Sequence, residues 1–98
     1  PSTIYPPDAS LRMQDLLNTL AGSDIHVANY YLRRGAYIAA ANRAKGVLSD
    51  YPNTPQTREA LQILVQAYDA MGMKELRDDA QRILKLNTGK SASAPAVK

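Results

Sequence analysis

The side chains able to do chemistry are few. Ser23, Asp24 and His26 carry the three letters of a hydrolytic triad within four residues. Neighbours on one helix diverge around its axis, so they cannot hold a nucleophile, a base and an orienting acid in line. His26 is the only histidine, and Asp24, two residues away, lies on a different helical face. Neither a metal centre nor a catalytic base is supported, and His26 reads as a surface residue. The chain has no cysteine, which removes disulfides, thiolate catalysis and zinc-finger chemistry together. Nothing points to an enzyme or to a cofactor. What remains is recognition chemistry carried by arginine. Arg43 follows Asn42 on a helix otherwise lined by alanine, so its guanidinium is expected to stand clear of neighbours and to offer a bidentate fork to a partner's carboxylate. A solvated surface arginine is the plainer alternative. Arg34, at a turn between helices, is the second candidate.

These arginines are positioned by the stretch Tyr30 to Pro52. It reads as the end of one helix, a stop at Gly35, and a second helix of small residues (Ala36, Ala39, Ala40, Ala41, Ala44, Gly46) running to Asp50. Small residues let two helix axes approach closely. Tyr31, Gly35, Tyr37, Ala40, Ala44, Val47, Leu48 and Pro52 have the offsets of the second half of a tetratricopeptide repeat. Ala44 stands where that repeat usually has phenylalanine, and Asp24 where it usually has tryptophan. A second copy follows: Tyr68 and Gly72 repeat Tyr31 and Gly35 at about 37 residues, and Leu76, Ala80, Ile83 and Leu84 repeat Ala40, Ala44, Val47 and Leu48 at about 36. Upstream, Pro1 to Thr3 with Asp8 and Ala9 echo Pro52 to Thr54 with Glu59 and Ala60. The chain is therefore expected to open just after a repeat has closed and to be the C-terminal piece of a longer protein.

In chain order, residues 1–7 form an extended leader, because consecutive prolines forbid helix before Pro7 and preset the first turn after it. Ala9, Met13, Leu16, Leu17 and Leu20 make one apolar stripe, which continues in phase through Val27, Ala28, Tyr31 and Leu32. Gly22 could end this helix, with Ser23 or Asp24 capping a new one. The continuous stripe favours one long helix from Asp8 to Arg34, kinked or straight, since an interior glycine costs only about 1 kcal/mol. Thr54 is placed to cap the third helix with Pro55 at its first position. Its stripe is Leu61, Leu64, Val65, Tyr68 and Met71, and Gly72 ends it. The last helix, Met73 to Leu86, is expected to bury Met73, Leu76, Ala80, Ile83 and Leu84 and to carry a Lys74, Asp78, Arg82 ladder outside. From Thr88 onward no periodicity remains, and residues 88–98 read as a disordered tail. The expected fold is an all-α tetratricopeptide-repeat solenoid of about four helices, with two repeats at 8–52 and 53–87.

Length and charge agree. Ninety-eight residues support one modest core, burying ~60–65% of the unfolded surface. The net charge is +3, with Lys85, Lys90 and Lys98 near the end; the folded part is nearly neutral, which argues against a nucleic-acid surface. No apolar run approaches the ~18–20 residues of a membrane span.

The string V-A-x-Y-Y-x-x-R-G-A-Y-x-A-A-x-N-R from Val27 to Arg43, followed by the Tyr51-Pro52 close and a second repeat ending in RILKLN, resembles the C-terminal half of the BamD/ComL lipoprotein family over about residues 5–87. That resemblance implies a component of the machine that folds β-barrels into the bacterial outer membrane, working at the periplasmic face. It implies that the lipid-bearing cysteine lies in an N-terminal part not included here. The C-terminal repeats would contact the POTRA domain of BamA, and BamC and other lipoproteins of the assembly would be further partners. It also strengthens Arg43 as a contact, being the arginine of the family's N-R pair.

In repeat arrays the first helix of each pair lines the concave face. Register is expected to set Ile25, Asn29 and Arg33 beside Gln62, Gln66 and Asp69, a polar groove of mixed charge. It lacks the basic cluster that capture of peptide carboxylates would need. Two function classes stay open: an assembly scaffold holding a folded partner by turns and helix edges, and a groove-type receptor for extended peptides such as unfolded outer-membrane protein segments.

Overall fold

Two identical glycine turns organise the backbone. At the first, Gly35 takes φ +82°, the left-handed conformation that an L side chain resists. Its N–H donates to the Leu32 carbonyl at 3.1 Å, and the Ala36 N–H donates to the Tyr31 carbonyl at 2.9 Å. At the second, Gly72 takes φ +75°, its N–H reaches the Asp69 carbonyl at 3.1 Å, and the Met73 N–H reaches the Tyr68 carbonyl at 2.9 Å. Both are Schellman closures, satisfying carbonyls that a helix end otherwise leaves bare.

The computed structural model describes the backbone of residues 7–97 and the side chains of residues 9–87. The glycine turns and the Pro52–Pro55 corner divide it into α1 (Pro7–Arg33), α2 (Tyr37–Asp50), α3 (Gln56–Ala70) and α4 (Lys74–Val97), with no strand among the described residues. α1 packs along α2 and more lightly along α3, α3 packs against α2 and α4, and among the described residues α4 packs against α3 alone. The result is two antiparallel helix pairs stacked side by side, the all-α repeat architecture expected from the spacing.

α1 is one unbroken helix through Gly22, about 40 Å long at 1.5 Å per residue. The continuous stripe prevails because nothing at Gly22 demands a turn. Its φ is not positive, and an added β-carbon would meet only Gln56 Nε2 at 3.8 Å. The leader expected over residues 1–6 lies outside the described residues, and Pro7 itself opens α1.

Alanine dominates the core. Among the described residues, eight of the fourteen buried apolar ones are alanines (Ala21, Ala28, Ala40, Ala41, Ala44, Ala60, Ala67, Ala80), and the largest fully buried side chains are Leu61, Ile63 and Val47. The axes therefore come close, and Tyr31, Tyr37, Tyr51 and Leu48 pack against the edges of this core.

Three local expectations are corrected. Thr54 does not cap α3: its hydroxyl turns back and donates to the Tyr51 carbonyl at 2.8 Å, and Pro55 takes the N-cap place with no side-chain cap bond. Thr54 is 5% exposed, so its hydroxyl satisfies the corner where α2 ends. Of the α4 residues expected inside, only Ala80 is buried; Leu84 is half-buried, while Met73, Leu76 and Ile83 are 43%, 46% and 48% exposed. Periodicity locates an apolar face but not the neighbour that would cover it, and α4 has α3 on one side only. The Lys74, Asp78, Arg82 ladder does not form, because Asp78 pairs with Arg77 at 3.1 Å and Arg82 with Asp79 at 2.9 Å. In addition, α4 runs beyond Leu86 to Val97, where the spacing reads a structureless tail.

Candidate functional site

α2 buries Ala40, Ala41, Ala44 and Val47 and turns Ile38, Asn42, Arg43 and Lys45 outward. Arg43 was expected to stand clear of its neighbours. It does not. Its Nη1 donates to Asp24 Oδ1 on α1 at 3.2 Å. Close packing through alanine brings α1 within reach of a long side chain from α2. The Arg43 side chain is still 48% exposed and that of Asp24 28%. Among the described residues the other guanidinium N–H groups have no acceptor, so one edge of the fork is fixed and the rest is presented outward.

Beside Arg43, Asn42 and Lys45 stand over an open hollow of about 260 Å³ lined by Ile38 of α2 and by Met73 and Leu76 at the start of α4. Ile38 is 67% exposed. Exposed apolar side chains rimmed by an amide and a cation have the make-up of a protein contact.

Arg34, the second candidate, lies just past the end of α1 with its guanidinium carbon 5.4 Å from the centre of the Tyr30 ring, a cation–π arrangement. Tyr30 in turn meets Tyr31 edge to face, with ring centres 5.8 Å apart. Arg33 is exposed in the last turn of α1, where a cation suits the helix dipole.

The expected groove differs in register. Ile25 is 4% exposed and belongs to the core. Asn29 faces Glu59, its Nδ2 donating to Oε2 at 3.3 Å. Gln62, Gln66 and Asp69 are exposed on α3, but Asp69 is already engaged, accepting from Arg77 Nη1 of α4 at 2.6 Å. The hydrogen bond that Arg77 donates to Asp69 first, then the one it donates to Asp78, holds its pKa above the ordinary value. The groove wall is thus internally charge-paired, and its acid is occupied.

The pairings made by Asp24, Glu59 and Arg77 were not foreseen from spacing. Each partners a residue on another helix, and a single sequence carries no signal for such pairings. His26 is exposed on α1. No helix among the described residues is long and apolar enough to cross a membrane.

The sequence profile of the YfiO family, outer membrane lipoproteins, matches residues 1–83. Among curated relatives, the outer membrane protein assembly factor BamD of Neisseria meningitidis serogroup A is 45% identical over 91 residues, 93% of this chain and 34% of its own length. BamD of Haemophilus influenzae is 37% identical over 93% of the chain and 35% of its own length. BamD of Xylella fastidiosa is 40% identical over 89% and 30%. The chain spans about a third of the length of the curated relatives it matches. Paired helices closed by tyrosine–glycine turns, and a family match that runs through both pairs, lead to one statement: this chain belongs to the YfiO family of outer membrane lipoproteins.

Proposed function

We propose that this chain is a non-catalytic scaffold of outer-membrane protein assembly at the periplasmic face of the outer membrane, and that its two helix pairs hold the POTRA region of BamA, with BamC and other lipoproteins of the same machinery as further partners. The relatives bear the name of an assembly factor, and the fold offers helix edges and turns rather than an enclosed site. The observation that carries the partner assignment is Arg43. Half exposed and braced by Asp24, it is pre-set to meet a carboxylate on a folded partner, while Asn42, Ile38, Met73 and Leu76 supply the adjoining contact. Arg34 would add a second cation beyond the tip of α1.

Isothermal titration with purified BamA POTRA domains tests this. Binding is expected, and Arg43→Glu is expected to weaken it by about 1–3 kcal/mol through charge reversal. An unchanged affinity removes Arg43 from the contact. Heat from peptides carrying β-barrel C-terminal signals, with none from POTRA domains, favours instead a receptor for extended segments built on Asn29, Arg33, Gln62, Gln66 and Asp69.

A further inference from the structure

A second surface lies away from Arg43, where the Pro52–Pro55 corner, the first turns of α3 and the outer half of α4 enclose a groove of about 570 Å³. Its floor is apolar: Leu61 is buried, Leu48 is half-buried, and Ile83 is 48% exposed with no helix over it. Pro52 and Pro55 stiffen one wall, and the Thr54 hydroxyl, tied to the Tyr51 carbonyl, holds the corner in place. The groove is preformed, which lowers the ordering cost of binding.

Its charge is one-sided. Arg58 is the one charged residue in the lining, it is exposed, and no carboxylate pairs with it among the described residues. The neighbouring acid, Glu59, is turned toward α1, where it accepts from Asn29. α3 begins here with no side-chain cap, so the positive end of its dipole adds to the field of Arg58. An apolar floor under an unpaired cation matches a segment that presents a large apolar side chain and a carboxylate together. Residues 88–98 contain no Asp or Glu side chain.

We infer that this groove docks an extended segment of another protein in which an Asp or Glu side chain lies within about two residues of a large apolar side chain, the acid meeting Arg58 and the apolar group resting on Leu48, Leu61 and Ile83. The site is independent of the Arg43 surface and of the scaffold role. The test is selection of a displayed library of random heptapeptides on the whole chain, followed by fluorescence anisotropy with the winning peptides, end-blocked and dye-labelled. Winners pairing an acid with Leu, Phe or Tyr are expected. Arg58→Glu and Ile83→Ser should each weaken them at least tenfold, Arg58→Lys should weaken them far less, and Arg43→Glu should leave them unchanged. Both positions are exposed enough for the variants to keep wild-type circular dichroism. No enrichment, winners without acids, or affinity indifferent to Arg58→Glu would each overturn the inference. Concentration-dependent self-association that is abolished by Arg58→Glu would assign the groove to a second copy of the chain and overturn it equally.

Discussion

Arg43 and Asp24 join α2 to α1 by a single 3.2 Å hydrogen-bonded ion pair at the surface. Exposed pairs of this kind contribute about 0.2–1 kcal/mol. A double-mutant cycle of Asp24→Ala and Arg43→Ala, read by urea denaturation at low and high salt, is expected to give a coupling in that range that shrinks as salt rises. A salt-independent coupling above about 2 kcal/mol would show that the pair is far better shielded than its exposure implies.

The glycines separate into two classes. Gly35 has φ +82°, whereas Gly46 lies inside α2 with open space where a β-carbon would go. Gly35→Ala is expected to destabilise the chain by about 1–2 kcal/mol. Gly46→Ala should stabilise it by about 0.5–1 kcal/mol, through helix propensity and the restricted unfolded chain. Thermal melts of the two variants should move in opposite directions, and a shift of both the same way contradicts the assignment.

Ala44 occupies the place where the repeat pattern usually has phenylalanine, yet it is fully buried between close-packed helices. Restoring the usual residue with Ala44→Phe is therefore expected to destabilise by about 1–3 kcal/mol or more, because the axes must separate to admit the ring. Chemical denaturation gives the sign directly; a gain in stability would mean that a void has been filled.

Ile63 and Ile83 share a side chain but not a setting, at 2% and 48% exposed. Ile63→Ala is expected to cost about 2–5 kcal/mol, since it leaves a cavity. Ile83→Ala should cost well under half of that. Near-equal losses would indicate that Ile83 is covered in solution.

What the amino-acid pattern revealed, and what it hid, follows from the range of each interaction. Gly35 and Gly72, with Tyr31 and Tyr68 before them, announce their turns because a left-handed stop is a local property. The continuity of α1 through Gly22 was readable from a stripe that never changed phase. Leu76 and Ile83 were expected inside because they repeat Ala40 and Val47, which are buried. α2 is flanked by both α1 and α3, however, while α4 has α3 alone, and spacing within one helix does not count its neighbours. The Asp24–Arg43 pair and the Asn29–Glu59 bond depend on how far one helix slides along another, a tertiary quantity. The Thr54 expectation failed for a different reason: its hydroxyl is turned back to donate to the Tyr51 carbonyl, and the N-cap falls one residue later, on Pro55, with no side-chain cap bond.

The N-terminal part of α1 reaches well past the end of the 14-residue α2 that it flanks, with Gln14 already beside Asn53, and it does so without a joint at Gly22. An unbroken helix that overhangs its neighbour acts as a lever. A tilt imposed near Leu11 would be carried along the helix toward Asp24, whose ion pair with Arg43 joins α1 to α2. The far end of this beam is thus the place from which a partner would bias the arginine without touching it.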